Sequence, residues 1–419
     1  MHLCLYEDLV ASNFFPLIYF RPVYDLRCGI LTLREKALRH LAPTAVTLYV
    51  RSYLSAYLRE VSPKNGINEI SAESCLFLNG RCIMTKGLAK VLKKEKRDVL
   101  FMSSGEVVGA LLSGSNLARS KSELHKDALD LSALTGLPHV EVDAVLVRYP
   151  WDLVYANDTE ISNDFHALAN NKVVRRGDIH RSAILEEKKL IYIDRKSTIG
   201  PGVVLDATAG PIYIGSDVRI QAQAVIGGPC YVGDGATVKV GAQIHGKTSI
   251  GPVCKIGGEV EQSTFHSHAN KQHHGFIGHS YVAPWVNLGA GTSSSDLKNT
   301  YGTVKVYING QSVDSRRMFV GLTVGDHVKT GINATLDTGT VIGPSSNIYG
   351  TALPPKFVPA FTWGSADQMT TYDLDKALAV ATTVMARRNI QLTPVYRELF
   401  QHVFSMTNHE RSGHRAQTT

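Results

Sequence analysis

No stretch of the chain reaches the roughly 18 consecutive apolar residues of a membrane-spanning helix, so no membrane partner is expected. The six cysteines (Cys4, Cys28, Cys75, Cys82, Cys230 and Cys254) form no Cys-x-x-Cys pair. A disulfide framework or a cysteine zinc site is therefore not expected, and reduced thiols are. The first residues lack a basic segment leading into a long apolar core, so the expected location is cytoplasmic. The net charge is +7, but there is no basic block; Lys and Arg are dispersed. That distribution suits phosphorylated small molecules better than nucleic acid. Between residues 193 and 348 the 3.6-residue spacing of amphipathic helices is missing as well.

What replaces it is a period of six. Ile193, Ile199 and Leu205, then Ile214, Ile220, Ile226, Val232, Val238, Ile244, Ile250 and Ile256 stand six apart with one insertion of three. The spacing resumes at Phe276, Val282 and Leu288, and again from Val324 through Thr330, Leu336 and Ile342 to Ile348. Such a run predicts a parallel β-helix in which the aliphatic residue points inward and Gly permits tight corners. Two breaks, 261–275 and 293–317, are expected to be excursions, and loops over a rigid scaffold tend to carry function.

Residues 1 to about 150 alternate strand-like and helix-like segments, which predicts a sheet covered on both faces, with ligands at the carboxyl ends of its strands. The expected division is an α/β domain over 1–155, a linker helix and connector over 156–190, the β-helix over 191–365, and C-terminal helices with a disordered polar tail over 366–419.

The segment "HHGFIGHSYVAPWVNLGAGTSSSDLKN" resembles the catalytic stretch of the bifunctional sugar-1-phosphate nucleotidyltransferase/acetyltransferases. The fold that this resemblance implies is a nucleotidyltransferase-like α/β domain, a left-handed parallel β-helix of hexapeptide repeats, and C-terminal helices. It places His273 at the catalytic histidine and Phe276 at the neighbouring aromatic. Asn287 and Ala290 then line the substrate and acetyl-CoA site, with Asp296 and Leu297 near the acetyl group. Lys239 takes a phosphate-binding position, and a second one falls near Ser263, with Lys247, Lys255 and Lys271 close by. A homotrimer with the acyl site at a subunit interface is also implied. The opening "FFPLIYFRPVYDLRCGILTLREK" resembles a divergent branch of sugar nucleotidyltransferases fused to such β-helices. This makes Arg21, Arg27 and Lys36 candidates for the triphosphate; "FLNGR", which contains Asn79, and "YPWDL" fit the same branch. No glycine precedes Gly29, where typical members carry a Gly-rich loop.

Acetyl transfer needs a base for the attacking amine, and histidine suits that near neutral pH. His273 is the expected base, with His274 or Asp296 orienting it or the amino sugar. Nucleotidyl transfer uses Mg²⁺ held by carboxylates; Asp152 is the candidate ligand, with Asp143 beside it. The expected substrates are an amino-sugar phosphate, acetyl-CoA, and UTP or another nucleoside triphosphate. Arg387 and Arg388 either grip a CoA phosphate or answer the dipole at a helix C-terminus. Two alternatives remain. In the first, the N-terminal domain binds a nucleotide sugar without catalysis. In the second, the pairs His268–His273 and His274–His279 serve zinc as in a gamma-carbonic-anhydrase-like lyase.

Overall fold

A computed structural model describes residues 1–121, 126–134, 136–169, 174–350 and 352–415. The first unit is a seven-stranded mixed sheet. Strands β1 (His2–Tyr6), β2 (Ala45–Leu48), β3 (Gly66–Ile67) and β4 (Ser74–Asn79) run parallel in the order β3-β2-β1-β4. Glu106–Ser113 continues antiparallel to β4, followed by Val99–Ser103 and His139–Glu141. Both faces of β1 and β4 are buried, which is why these strands read as unbroken apolar runs. Helix α1 (Leu33–Leu41) starts at a capping box in which Thr32 and Glu35 satisfy each other's backbone N–H. Helices α2 (Ser55–Val61), α3 (Lys86–Lys94) and α4 (Gly114–Lys121) complete the covering. Helix α5 (Pro150–Ala169) runs through the boundary expected at 155, so sheet domain and linker share one continuous helix. Residues 170–173 of the expected connector lie outside the described residues.

From Asp178 the chain winds into a parallel β-helix with three faces. Face A begins with Asp178–Ile179, face B with Ile184–Glu186 and face C with Ile191–Ile193. Successive coils stack in register, as in Ile199↔Ile220 and Ile226↔Ile244, and one aliphatic core fills the prism. The 261–275 segment is not an excursion. Phe265 and Lys271 take the inward positions of stacked coils, and Ile277 follows. Phe276, expected to point inward, sits on the outer side of face B, while its neighbour Ile277 is fully buried. The period of six is obscured because the coil is shortened, Phe265 stacking fifteen residues after Ile250 where Ile244 follows Ile226 by eighteen, and because a lysine occupies a core position. Lys271 is 1% exposed, and its Nζ donates to the carbonyls of Gly257 (2.8 Å) and His273 (3.0 Å). The second break does leave the solenoid, as an antiparallel hairpin, Lys305–Ile308 with Gln311–Asp314. Its Val304, Val306 and Ile308 pack on Trp151 of α5.

Helices α6 (Leu374–Ala386) and α7 (Pro394–Met406) fill the space between the sheet domain and face C, sharing one core with both. The tail expected to be disordered forms helix α8 (Asn408–Arg415); residues 416–419 lie outside the described residues. Arg411 is buried against the Ala360 and Phe404 carbonyls, and Glu410 accepts from the Tyr19 hydroxyl at 2.6 Å. Among the described residues no helix is long and apolar enough to cross a membrane.

The segment 20–36 is the seam between the units. Arg21 forms a forked pair with Asp326, one arm at 3.0 Å, and Asp326 has no exposed surface. The Arg27 guanidinium donates to the Ile30 carbonyl, and its backbone N–H donates to the Tyr281 hydroxyl of face C at 2.7 Å. Gly29, at φ +85°, lies so close to α5 that a Cβ would come within 2.7 Å of the Glu160 carbonyl.

Removing one member of a buried ion pair leaves the other charge stranded. Arg21→Met is therefore expected to cost about 3–5 kcal/mol, read as a lower urea midpoint, and Arg21→Met/Asp326→Leu to recover most of it. Burial pushes the Lys271 ammonium down to about 8 from its ordinary value of 10.5. A base depressed in the folded state makes stability rise with pH between those two values, because the unfolded chain then binds more protons. Lys271→Met should flatten the pH 7–10 stability profile by up to about 3 kcal/mol, measured by urea unfolding; an unchanged slope would contradict the depressed ammonium.

Candidate functional site

The residues singled out in the β-helix distribute over two corners. At the corner joining faces A and B, His273 and His274 are exposed, and the Gly291 N–H of the next coil donates to the His274 carbonyl at 3.0 Å. Ala290 stands at the same corner, its carbonyl accepting from Asn333 N–H at 2.6 Å in the coil beyond. Asn287 is on the adjoining outer side of face A, bridged to Asn270 below it and Lys329 above it. His273, Asn287 and Ala290 are thus brought to one edge of the prism. Lys271 fixes the corner from inside by holding the His273 carbonyl, so it does not face a phosphate as expected.

Coil stacking accounts for the glycines of "NLGAGT". A Cβ on Gly289 would stand 2.4 Å from the Gly331 carbonyl oxygen, and Gly291, at φ +74°, would meet Asn333. The motif lets the coils approach closely enough to hold the corner in register.

Asp296 and Leu297 lie elsewhere, at the corner joining faces B and C, so they do not stand beside His273 within one chain. Asp296 Oδ2 pairs with His279 Nδ1 at 2.8 Å, and Phe319 stacks on the His279 ring at 5.1 Å. Arg317 covers Tyr155 nearby. Only contacts between distant residues mark this cluster, so the sequence offered no signal for it. The four histidines weighed as zinc ligands do not converge within a chain. His268 stacks on Trp285, His273 and His274 are exposed, and His279 is paired with Asp296. Among the described residues no group of three His, Cys, Asp or Glu is placed to hold a metal. Lys239 is half-buried, one coil from Lys255 on face A, and helps push the Lys255 ammonium down, after burial and the two arginines at the end of α6.

In the sheet domain the expected phosphate ligands are committed to structure. Arg21 and Arg27 belong to the seam, and Lys36, 1% exposed, is held by Glu160 and Asp164, each at 2.6 Å. Asn79 is buried and donates to Asp8 at 2.8 Å. Asp152 caps α5, its Oδ2 accepting the Arg148 N–H (2.8 Å) and Tyr149 N–H (3.0 Å), rather than facing a metal. At the carboxyl ends of β1 and β4, Asp8 and Glu106 both grip Arg81, and Glu7 grips Arg51. Carboxylates already neutralised by guanidinium groups do not make a Mg²⁺ donor set, so these residues do not fit the ion as they stand.

Residues 3–173 match the family described as sugar nucleotidyl transferase. A bifunctional sugar-1-phosphate nucleotidylyltransferase/acetyltransferase of Sulfurisphaera tokodaii is 38% identical over 101 residues, 24% of this chain and 25% of that protein. The bifunctional protein GlmU of Methanocaldococcus jannaschii is 29% identical over 221 residues, 52% of this chain and 46% of its own. The matches thus span between a quarter and under half of these curated relatives. A solved Francisella novicida UDP-N-acetylglucosamine acyltransferase aligns at 17% identity over 53% of this chain and 72% of its own, with a TM-score of 0.27. Residues 3–173 therefore carry the match to the sugar nucleotidyl transferase family, and parts of the chain are similar to bifunctional sugar-1-phosphate nucleotidylyltransferase/acetyltransferases.

Proposed function

We propose that the A–B edge of the β-helix transfers acetyl from acetyl-CoA to the amine of glucosamine 1-phosphate or a similar amino-sugar phosphate. The observation that carries this reading is the exposed His273 ring at the corner it shares with Ala290, beside Asn287. An ammonium cannot attack, so the acceptor nitrogen must be neutral when it meets the thioester carbonyl. As the C–N bond forms, His273 takes the proton from nitrogen. When the C–S bond breaks, CoA leaves as thiolate and receives that proton. Holding amine and thioester together supplies much of the rate. His279, despite its Asp296 partner, is 9% exposed and roofed by Phe319, so the accessible histidine is the better base. Val225, Val240 and Ile332 are exposed on face B and at its A–B corners, which suits three chains packing side by side with the edge between them.

For the sheet domain we propose uridylyl transfer from UTP to the N-acetyl sugar 1-phosphate, releasing pyrophosphate. The support is the family match over residues 3–173. The strand-end carboxylates are paired with arginines and so do not offer a metal a free donor set. A second reading, a sugar-nucleotide-binding domain without transfer, is favoured by Arg21, Arg27 and Lys36 being spent on internal contacts.

His273→Ala should lower CoA release from acetyl-CoA plus glucosamine 1-phosphate by roughly 100-fold or more, leave pyrophosphate release unchanged, and leave the fold intact by circular dichroism. Undiminished acetyl transfer would remove His273 as base. Incubating the chain with UTP, Mg²⁺ and a panel of sugar 1-phosphates separates the two readings of the sheet domain; pyrophosphate release is the expected result, and its absence across the panel would leave only binding.

A further inference from the structure

Between face A and the end of α6 lies a cavity of about 260 Å³. Lys255 and Lys329 point into it from the face, and Arg387 and Arg388 close it from the helix. No Asp or Glu lines it, and none of these four cations has an acidic partner among the described residues. Like charges gathered without a counter-charge repel one another, and the ionisation reflects this. Lys255 is pushed down by burial and then by Arg388 and Arg387, and Arg388 by burial and then by Arg387. Burial alone holds Lys329 down at about 8.

The donors are arranged rather than loose. Arg388 donates to Asn270 Oδ1 at 3.0 Å, and Asn270 is in turn tied to Asn287 at 3.4 Å. Arg388 Nε is buried with no hydrogen-bond partner among the described residues, a cost usually avoided. Lys329 Nζ spends one donor on the His327 carbonyl at 3.0 Å, leaving two. A helix dipole explains arginines at the end of α6. It does not explain two lysines reaching toward them from a different element.

We infer that this cavity is the binding site of a phosphate monoester dianion, with face A and the C-terminal helix α6 each supplying half of its cations. The volume falls below the about 300–1,000 Å³ of a pocket enclosing a whole small molecule, so it suits one charged group of a longer ligand. Gln272, the residue before His273, also lines it, as does Asn287. An anchored phosphate would therefore lie close to the acyl-transfer corner. In a 1-phosphate of a 2-amino sugar, phosphate and amine sit on adjacent ring carbons; the 3′-phosphate of CoA is remote from its thioester. The identity of the carrier molecule rests on the acyl-transfer reading; the anion site does not.

The test is calorimetric binding to the full-length chain without turnover. Glucosamine 1-phosphate is the probe and glucosamine the phosphate-free control. Lys255→Met (half-exposed, so the fold is retained) and Arg388→Gln should each weaken the probe roughly tenfold or more and leave the control unchanged. Wild-type affinity should fall as pH rises past 8, where Lys329 gives up its proton. Acetyl-CoA and acetyl-dephospho-CoA form a second arm. If the variants weaken acetyl-CoA and not its dephospho form, the phosphate held is that of CoA; if they weaken only the sugar phosphate, it is the acceptor's. Both variants binding the probe and acetyl-CoA as wild type does would overturn the site. Probe binding lost in the variants, with no acetyl transfer by the wild type, would keep the site and remove the acyl-transfer reading.

Discussion

Asp326 has no exposed surface, so its carboxylate must find a cation inside the protein, and it finds Arg21 of the other unit. That pair sets how sheet domain and β-helix meet. Around it, Lys36 joins Glu160 and Asp164 of α5, while Asn157 of α5 accepts from the Gly29 N–H and donates to the Lys247 carbonyl of the β-helix. Each polar group in the seam is costly to strand and cheap to keep once paired. The relative position of the units is therefore specified by a few buried contacts, and helices α6 and α7 fill the remaining apolar space.

Using the 20–36 segment in this way has a chemical consequence. In a nucleotidyltransferase reading, basic residues early in the chain should meet a triphosphate. Here their charges are already answered, Arg21 by Asp326 and Lys36 by two carboxylates. The strand-end carboxylates are answered in the same manner by Arg81 and Arg51. Among the described residues, Glu7, Asp8 and Glu106 at the strand ends are thus each paired with an arginine. The β-helix does the opposite. Face A and the end of α6 bring four cations together with no acid among the lining residues, in a cavity that Gln272, the residue before His273, also lines.

The β-helix can hold such groups because its coils are rigidly stacked. Glycines at 289 and 291 let neighbouring coils touch, and each coil repeats the backbone hydrogen bonds of the one before. A side chain on the outer side of a face then sits at a fixed height and a fixed edge. Lys271 is the exception that locks one corner: it turns inward, gives two bonds to carbonyls, and so holds the backbone of His273 from within.

The sequence by itself determined the repeat, the alternation of strands and helices before it, and the "NLGAGT" corner, because these are periodic or local features written in consecutive residues. The resemblance grouped His273, Asn287 and Ala290, and the stacked coils carry them to one edge of the prism. The sequence misleads over 261–275 because shortened coils and a lysine in a core position break the six-residue pattern without breaking the solenoid. Which charges are free was decided only by the tertiary structure. Arg21, Lys36 and Asp152 read as ligands until Asp326, Asp164 and the start of α5 claim them. Arg388 reads from the sequence either as a grip on a CoA phosphate or as a helix-end cation, and only the fold sets Lys255 and Lys329 opposite it. The physical reason is the same in both directions: a charge is neutralised or left open by residues dozens to hundreds of positions away, and no local pattern records that pairing.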